Sequence, residues 1–567
     1  IQPSATVAQI MSYGVHTMGP DTTVDDAAEE MLRYGFEGFP IVDEWGEILG
    51  ILTRREIDRA RRLRLGNMPV SHYMTKGNIH VSPSDSVEQL QQVMTRHGVG
   101  QVPVVEGGEI LGVVTRTDLI KLWAAPPRQP PRPQEIAKKM EGALPGPLLQ
   151  VLQRASELAQ ELGYPLYVVG GFVRDLLLGE PNLDMDLVVE GDAVRFARRL
   201  ARQIDARTRS HRRFGTAKII LEDREDEFGV PSLDFAAARL EFYSHSAALP
   251  EVERSSIKAD LHRRDFTINT LAIRLDSGHY GVLLDFYGGE QDLKDGLIRV
   301  LHSLSFIEDP TRIMRAVRFE QRLGFAIEAR TEELIENALP MLARVTGERI
   351  RHELYLILEE KKPELALCRL DALGVLSRIH RDLSCTERTC ALFEALRQAV
   401  AEGGWEVTAR VDSRPGPRLY LALLAYDLLR EDLEGLARRL KFFRQDLTLL
   451  QQVLALRESE ERLEHPDLSN REIYGLLRHS SSEARLVQWV ATDSERVRQR
   501  LWCFETELRH VEPIVDGEYL KSLGLKPSPL FSRLLRSVRD ARLDGKVQSL
   551  EEEKAFIDRL LSERERV

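Results

Sequence analysis

The sequence predicts a multidomain chain, with an α/β repeat module at the front, an α/β domain in the middle and an all-α remainder. Three observations predict this organisation. Residues 7–60 and 70–122 are two copies of one pattern, a proline-rich stretch at 125–133 follows them, and apolar residues recur at helical spacing through 301–567. The length of 567 residues corresponds to about three to five domains.

The bulk composition is typical of a soluble globular protein. No apolar run reaches 18 residues, so we expect no membrane span. The four cysteines lack C-x-x-C spacing, so we expect reduced thiols and a cytoplasmic location rather than a zinc site or a disulfide framework. The net charge of −11 argues against a general nucleic-acid coat protein. Residues 195–218 nevertheless hold nine Lys and Arg, which fits either a solvated helix face or a contact with RNA or polyphosphate.

The two front copies correspond along most of their length. VAQIM at 7–11 answers VSHYM at 70–74, and GEILGILTRREI at 46–57 answers GEILGVVTRTDL at 108–119. Each copy predicts a strand, a helix, an apolar strand, a glycine-containing turn, a strand and a helix. The pattern resembles a tandem pair of CBS domains, a Bateman module, over residues 1–124.

This resemblance implies a ligand site between the copies. Members of the family bind adenosine nucleotides there, and the matching contacts are Thr53 in copy one with Thr115 and Asp118 in copy two. Copy one carries Glu56 where copy two carries Asp118, which is a departure at the ribose contact. A module that binds nothing and serves as a support or as a homodimer interface is the alternative.

Two aspartates precede an apolar stretch in PNLDMDLVV at 181–189. On a strand, Asp184 and Asp186 project from the same face, so their charges repel and one pKa should rise unless a positive charge lies between them. A divalent metal removes that conflict. The alternative is a solvated turn before a strand, favoured by Pro181 and Asn182.

The stretch LYVVGGFVRDLLL predicts a strand, a glycine turn and a helix. Gly170 and Gly171 allow backbone N–H groups to approach an anion at the helix N-terminus, and Arg174 follows one turn later. A tight turn without a ligand is the alternative. Further along, SLDFAAAR supplies Asp234, which we expect on a neighbouring strand as a third carboxylate.

Two later motifs combine arginine with aspartate. In RRDFTIN, Arg263 and Arg264 offer bidentate donors to phosphate, and Asp265 can accept from a ribose hydroxyl. In EDPTR, Asp309 accepts and Arg312 donates, so the pair matches the Watson–Crick edges of adenine and cytosine but not those of guanine and uracil. A capped helix start, with Pro310 at the first helical position, explains EDPTR without any ligand.

The order and spacing of these motifs, together with GERIRHEL at 347–354, resemble a class II tRNA nucleotidyltransferase or bacterial poly(A) polymerase over residues 136–385. The resemblance implies a polymerase-β-type head in which Asp184 and Asp186 bind Mg²⁺ and Asp234 completes the catalytic carboxylates. Together with the front repeat and the proline-rich stretch, it implies five segments. They are a tandem CBS module at 1–124, a proline-rich linker at 125–135, a nucleotidyltransferase head at 136–300, a helical neck at 301–385, and a tRNA-binding body and tail at 386–567. The implied nucleotide-binding residues are Gly170, Gly171, Arg174, Arg263, Arg264, Asp265, Asn269, Asp309, Arg312, Arg315 and Arg318.

The same resemblance implies tRNA, ATP and CTP as partners. Within the family, we expect addition of the terminal A to tRNA, ahead of full CCA addition and then poly(A) synthesis. The segment 240–261 is long, lacks a clear D-R pair and is similar to a subgroup that often carries an N-terminal DHH-type phosphoesterase domain. The start at Ile1 rather than Met fits a piece of such a longer chain. A CBS-gated RNA-binding sensor with an inactive core is the alternative from another functional class.

Overall fold

The computed structural model describes residues 6–13, 15–34, 36–124, 133–211, 214–242, 251–407 and 414–565. The chain divides into two compact units, the first from residues 1–308 with 326–331 and the second from 309–325 with 332–567. The predicted class, α/β in front and helical behind, is confirmed. Within the described ranges, no helix is long and apolar enough to cross a membrane. The expected linker at 125–135 lies outside the described residues as far as residue 132.

The front module repeats its elements twice in the predicted order. They are β1 (Ser12–Tyr13), α1 (Val24–Tyr34), β2 (Gly38–Val42), β3 (Ile48–Thr53), α2 (Arg54–Arg62), β4 (Thr75–Lys76), α3 (Val87–His97), β5 (Gln101–Glu106), β6 (Glu109–Thr115) and α4 (Arg116–Ala124).

The two copies exchange their first strands. β1 of copy one pairs with β6 of copy two, with Ser12 opposite Val113, and β4 of copy two pairs with β3 of copy one. Val7 and Met11, which precede β1, are buried in the apolar core of the second copy. Each copy therefore needs the other to complete its sheet and its core.

The middle domain is an α/β layer built on one large sheet. Its elements are α5 (Pro133–Ala143), α6 (Gly146–Leu162), β7 (Leu166–Val169), α7 (Gly171–Leu178), β8 (Asp186–Val189), α8 (Ala193–Gln203), β9 (Arg207–His211), β10 (Thr216–Ile220), α9 (Glu225–Phe228), β11 (Ser232–Ala237), β12 (Arg239–Phe242), β13 (Glu251–Arg254), α10 (Ile257–His262), β14 (Ala272–Arg274), β15 (Leu283–Leu284), α11 (Gly289–Asp295), β16 (Leu297–Ile298), α12 (Ser305–Glu308) and β17 (Ala326–Ile327).

The large sheet has seven strands in the order β15-β14-β7-β8-β11-β10-β9. β7 is apolar and buried along its whole length, as expected for a central strand covered on both faces. β8 runs antiparallel to β7 and parallel to β11. Helix α8 packs against the sheet through Phe196 and Phe235, whose ring centroids are 5.7 Å apart. This packing fixes the polar ends of β8 and β11 side by side.

The second unit is helical throughout its described part. Its elements are α13 (Thr311–Leu323), α14 (Ala329–Ala338), which begins in the first unit, α15 (Gly347–Leu358), α16 (Pro363–Ala372), α17 (Val375–Ile379), α18 (Glu387–Glu402), α19 (Pro417–Leu424), α20 (Arg430–Leu440), α21 (Arg444–Glu458), α22 (Glu460–Glu464), α23 (Asn470–Leu477), α24 (Ser482–Ala491), α25 (Glu495–Thr506), α26 (Gly517–Ser522), α27 (Pro529–Leu543) and α28 (Leu550–Glu565).

One expectation about the cysteines is wrong. Cys368 on α16 and Cys385, 17 residues later, form a disulfide. Cys390 on α18 lies beside them, with its Sγ 3.4 Å from the Cys368 Sγ. The chain between α16 and α18 folds back on itself and brings the three sulfurs together, which C-x-x-C spacing does not reveal.

Candidate active site

Three carboxylates lie at the start of β8 and on β11. Asp184 and Asp186 are both exposed, whereas Met185 between them is only 2% exposed, so the side chains alternate as a strand requires. Asp234 on β11 stands directly opposite Asp186 in the parallel register. The expected third carboxylate on a neighbouring strand is therefore present.

The charges at this edge repel one another, as the spacing predicted. Although Asp186 is exposed at the surface, the surrounding cleft removes part of its carboxylate from water, which raises its pKa. The Arg264 guanidinium lowers the pKa, and the negative charges of Asp184, Asp234 and Asp260 raise it, with a net rise above the ordinary value. The Asp234 carboxylate pairs with Lys218 on β10 at 3.1 Å. Of the three carboxylates, Asp234 therefore already has a cationic partner, whereas Asp184 and Asp186 add to the negative charge of this edge.

The glycine turn packs directly against an arginine. Gly170 has φ +74° and precedes the first turn of α7, a conformation that favours glycine. A Cβ at this position would lie 2.6 Å from the Nη1 atom of Arg264. Gly170 is therefore favoured by its backbone conformation, and its lack of a side chain leaves room for that guanidinium.

Arg174 is the centre of a buried polar network rather than a solvent-facing anion contact. Its side chain is 4% exposed and donates to both Asp175 oxygens at 2.7 and 2.9 Å and to Asn269 Oδ1 at 2.9 Å. Asn269 in turn donates to Asp265 Oδ1, and Asn182 donates to Asp175. These bonds join α7 to the motif RRDFTIN.

The same network reaches the edge of the sheet that carries the three carboxylates. The backbone N–H of Asp184 donates to Asn182 Oδ1 at 2.8 Å, and the Asn182 amide donates to Asp175. The turn that carries Asp184 is therefore held by the buried Arg174–Asp175 pair. This explains how a loop before β8 keeps a defined position.

Asp260 on α10 is a functional candidate that the sequence analysis missed. Its side chain is fully buried and accepts from Arg263 Nε and Nη2 at 3.0 and 2.8 Å and from Arg264 Nη2 at 3.4 Å. It also accepts from the Arg239 backbone N–H at 3.4 Å. The spacing of i, i+3 and i, i+4 between Asp260 and the two arginines was the signal that could have identified it.

A cleft of about 350 Å³ brings these groups together. Carboxylates and guanidinium groups line it jointly, a combination suited to a phosphate carried with a metal ion. Its polar lining residues are Asp186, Thr216, Asp234, Arg239, Arg263 and Arg264. A second cavity of about 460 Å³ lies along α8 and is lined by Arg195, Arg198, Arg199 and Arg202 from the arginine-rich run.

In the second unit, Asp309 pairs with an arginine that the sequence analysis did not assign. Asp309 Oδ1 accepts from the Thr311 N–H and hydroxyl at 3.1 and 2.6 Å, and Oδ2 accepts from Arg349 at 2.6 Å. Helix α13 begins at Thr311, so Pro310 is its N-cap residue and not its first helical residue as expected. Arg312 is buried in its first turn.

Two further arginines of α13 face acidic partners in the same unit. Arg315 Nη1 lies 3.4 Å from Glu353 and Arg318 Nη1 lies 3.7 Å from Glu360. Burial lowers the pKa of Arg318 from its ordinary value, and the nearby charge of Glu353 opposes that change. The arginines of this helix are therefore held in place by carboxylates on the helices around them.

The chain matches three family models. Residues 166–299 match the poly A polymerase head domain, residues 7–62 and 70–125 match the CBS domain, and residues 324–385 match the probable RNA and SrmB-binding site of polymerase A. These matches confirm the two resemblances on which the sequence analysis relied.

Similar proteins cover most of the chain. The A-adding tRNA nucleotidyltransferase of Geobacter sulfurreducens is 36% identical over 99% of this chain, and the chain spans 65% of that relative's length, just under two thirds. The A-adding tRNA nucleotidyltransferase of Halalkalibacterium halodurans is 31% identical over 72% of this chain and 91% of its own length. The solved structure of the Thermotoga maritima CCA-adding enzyme complexed with tRNA is 32% identical, with a TM-score of 0.59 over 75% of this chain and 98% of that one.

Proposed function

The chain belongs to the family of tRNA nucleotidyltransferases and bacterial poly(A) polymerases, and we propose that it adds the terminal A to the 3′ end of tRNA without a nucleic-acid template. The observation that carries this proposal is the cleft that Asp186 and Asp234 line together with Arg263 and Arg264. ATP is the preferred nucleotide, tRNA is the acceptor, and the reaction takes place in the cytoplasm.

Asp184 and Asp186 are the residues that would hold Mg²⁺. The raised pKa of Asp186 fits such a cation, because a positive charge offsets the repulsion between neighbouring carboxylates. When bound, Mg²⁺ supplies charge neutralisation and makes the attacking hydroxyl more acidic. Asp234 contributes to the same site once its carboxylate is released from Lys218, whose side chain is half exposed and free to turn towards solvent.

The arginines that line the same cleft would bind the triphosphate. The Asp260 carboxylate pairs with both Arg263 and Arg264, which fixes the direction of the two guanidinium groups before the substrate binds. The tRNA 3′-hydroxyl attacks the α-phosphate and pyrophosphate leaves. Asp265, Asn269, Gly170, Gly171 and Arg174 belong to the same proposed nucleotide site, with Arg174 acting through the buried network that positions Asp184.

Base selection is assigned to Asp309 and Arg312, supported by Arg315 and Arg318. An aspartate that accepts and an arginine that donates match adenine and cytosine and leave guanine or uracil with unpaired polar groups. The Arg349 guanidinium donates to Asp309 Oδ2 at 2.6 Å and so helps to fix the orientation of that carboxylate. CTP is the second nucleotide that this arrangement accepts, which keeps full CCA addition as the alternative product.

The experiment that tests the proposal is extension of two labelled tRNAs, one ending in CC and one lacking CCA, with Mg²⁺ and with ATP and CTP offered separately and together. Addition of one A to the CC-ended tRNA alone is the expected result. Extension of the shorter tRNA by CTP and then ATP shows a full CCA enzyme. The absence of incorporation on either tRNA rejects the enzyme in favour of an RNA-binding sensor, provided that Asp186→Asn behaves identically.

A further inference from the structure

Lys258 on helix α10 of the head extends into the front module. Its Nζ donates to the Ser12 hydroxyl on β1 and to Asp118 Oδ1 at 3.3 Å. Both acceptors belong to the paired CBS copies. The two domains of the first unit are therefore joined at this point by a single ammonium group.

The surroundings of Lys258 distinguish it from an ordinary surface lysine. Its side chain is 22% exposed and that of Asp118 is 11% exposed, so solvent screens the pair only weakly. The ammonium also lies 5.8 Å from the centre of the Phe286 ring, and the Tyr287 hydroxyl donates to the Lys258 carbonyl at 3.0 Å. The side chain and the backbone of Lys258 are thus both held.

Asp118 is the residue of copy two that the CBS resemblance assigns to a nucleotide's ribose. In the structure, its Oδ2 accepts from the Thr115 N–H and hydroxyl at 2.8 and 2.7 Å, and its Oδ1 accepts from Lys258. Lys258 therefore occupies the Asp118 oxygen that the Thr115 contacts leave open to another donor. The corresponding Glu56 of copy one bonds to Thr53 and Arg55 of its own copy.

Helix α10 connects this contact to the candidate active site. The Ile257 N–H donates to Glu190 Oε1 at 2.5 Å, and Glu190 directly follows β8, the strand that begins with Asp186. Two residues after Lys258, Asp260 supports both Arg263 and Arg264. A change at Lys258 therefore acts on the helix that orients the phosphate-binding arginines.

We propose that Lys258 is an internal ligand of the nucleotide site in the second CBS copy. An adenosine nucleotide that binds through Asp118 displaces Lys258, releases α10 from the front module and slows nucleotide addition. The slowing of addition rests on the proposed function. The competition between nucleotide and Lys258 does not, because it is measured by binding alone.

The test compares AMP binding to the full chain and to Lys258→Ala by titration calorimetry. AMP serves as the probe because it lacks the pyrophosphate leaving group and is not a substrate. Removal of the competitor should tighten AMP binding about tenfold, the effect of one partly buried ion pair. Asp118→Asn should abolish binding, and Lys294→Ala, which removes an exposed lysine paired with Glu290 on α11, should leave it unchanged.

Hydrogen exchange gives a second measurement. AMP should speed amide exchange across residues 257–264 in the wild-type chain and have no effect on Lys258→Ala, whose exchange is already fast. Unchanged or weaker AMP binding to Lys258→Ala overturns the proposal, as does binding that survives Asp118→Asn or no binding to either Lys258 form. If the wild-type chain adds no nucleotide, the proposed function fails, while affinity and exchange still decide this inference.

Discussion

The carboxylate edge of the head (Asp184, Asp186 and Asp234) and the polar network behind it contain similar charges in opposite situations. Arg174, Asp175, Asn182 and Asn269 are joined by hydrogen bonds of 2.7 to 2.9 Å. At the edge, Asp186 instead faces other carboxylates and has a raised pKa. The same residue types therefore serve as a scaffold in the network, whereas at the edge they form the site that we propose to be reactive.

The difference follows from the cost of burying charge. A buried guanidinium is tolerated only with a carboxylate and further hydrogen bonds, and those bonds fix the geometry of both partners. An exposed group of like charges costs less because water solvates it, but it remains repulsive until a cation arrives. Substitutions in the two regions should therefore separate activity from stability.

The largest effect is expected from Asp186→Asn at the carboxylate edge. Loss of a metal-binding carboxylate should lower the rate of nucleotide addition about a thousandfold, since metal stabilisation of the transition state amounts to several kcal/mol. Thermal stability should stay equal or rise, because one repulsive charge is gone. Single-turnover kinetics and calorimetric unfolding measure the two quantities.

The control for that substitution is Asp223→Asn, which removes an exposed carboxylate paired with Arg207 on the same domain. Its activity and melting temperature should match those of the wild-type chain. Mg²⁺ should raise the melting temperature of the wild-type chain and of Asp223→Asn. The increase should be smaller for Asp186→Asn. Near-normal activity in Asp186→Asn contradicts its assignment as a metal ligand.

The second effect is expected from Arg174→Met in the buried network. This substitution leaves Asp175 as an uncompensated buried charge, which should lower the free energy of unfolding by about 3 to 5 kcal/mol. Nucleotide addition should also fall, because the turn before Asp184 loses its support. Denaturant unfolding provides the measurement, and Arg199→Met, which breaks an exposed pair with Glu161, should change stability by less than about 1 kcal/mol.

The smallest effect is expected from Asp260→Asn. Asp260 shares one feature with each of the two regions. It is buried like the network but holds arginines that face the cleft. The neutral amide orients Arg263 and Arg264 less firmly, so the KM for ATP should rise about tenfold, which corresponds to about 1.4 kcal/mol. Steady-state kinetics should show a smaller change in kcat. An equal loss of kcat with an unchanged KM would show that Asp260 serves the chemical step instead.

The amino-acid sequence by itself predicted the order of the front repeat, the head and the helical remainder, and it supplied the candidate site positions. Asp184 and Asp186, the glycine turn and RRDFTIN are short motifs whose meaning depends on neighbours a few residues away. Local spacing predicts which side chains share a face, because helices and strands have fixed periods. The front repeat could be recognised for the same reason, because both copies carry the same pattern of residues.

Only the tertiary structure decided which distant residues meet. The exchange of β1 and β4 between the copies, the Arg349–Asp309 pair and the Cys368–Cys385 disulfide join segments with no periodic relation in the sequence. Lys258 and Asp118 are 140 residues apart and lie in different domains. Such contacts depend on how apolar faces pack, and packing is a property of the whole fold, so no short stretch of sequence encodes them.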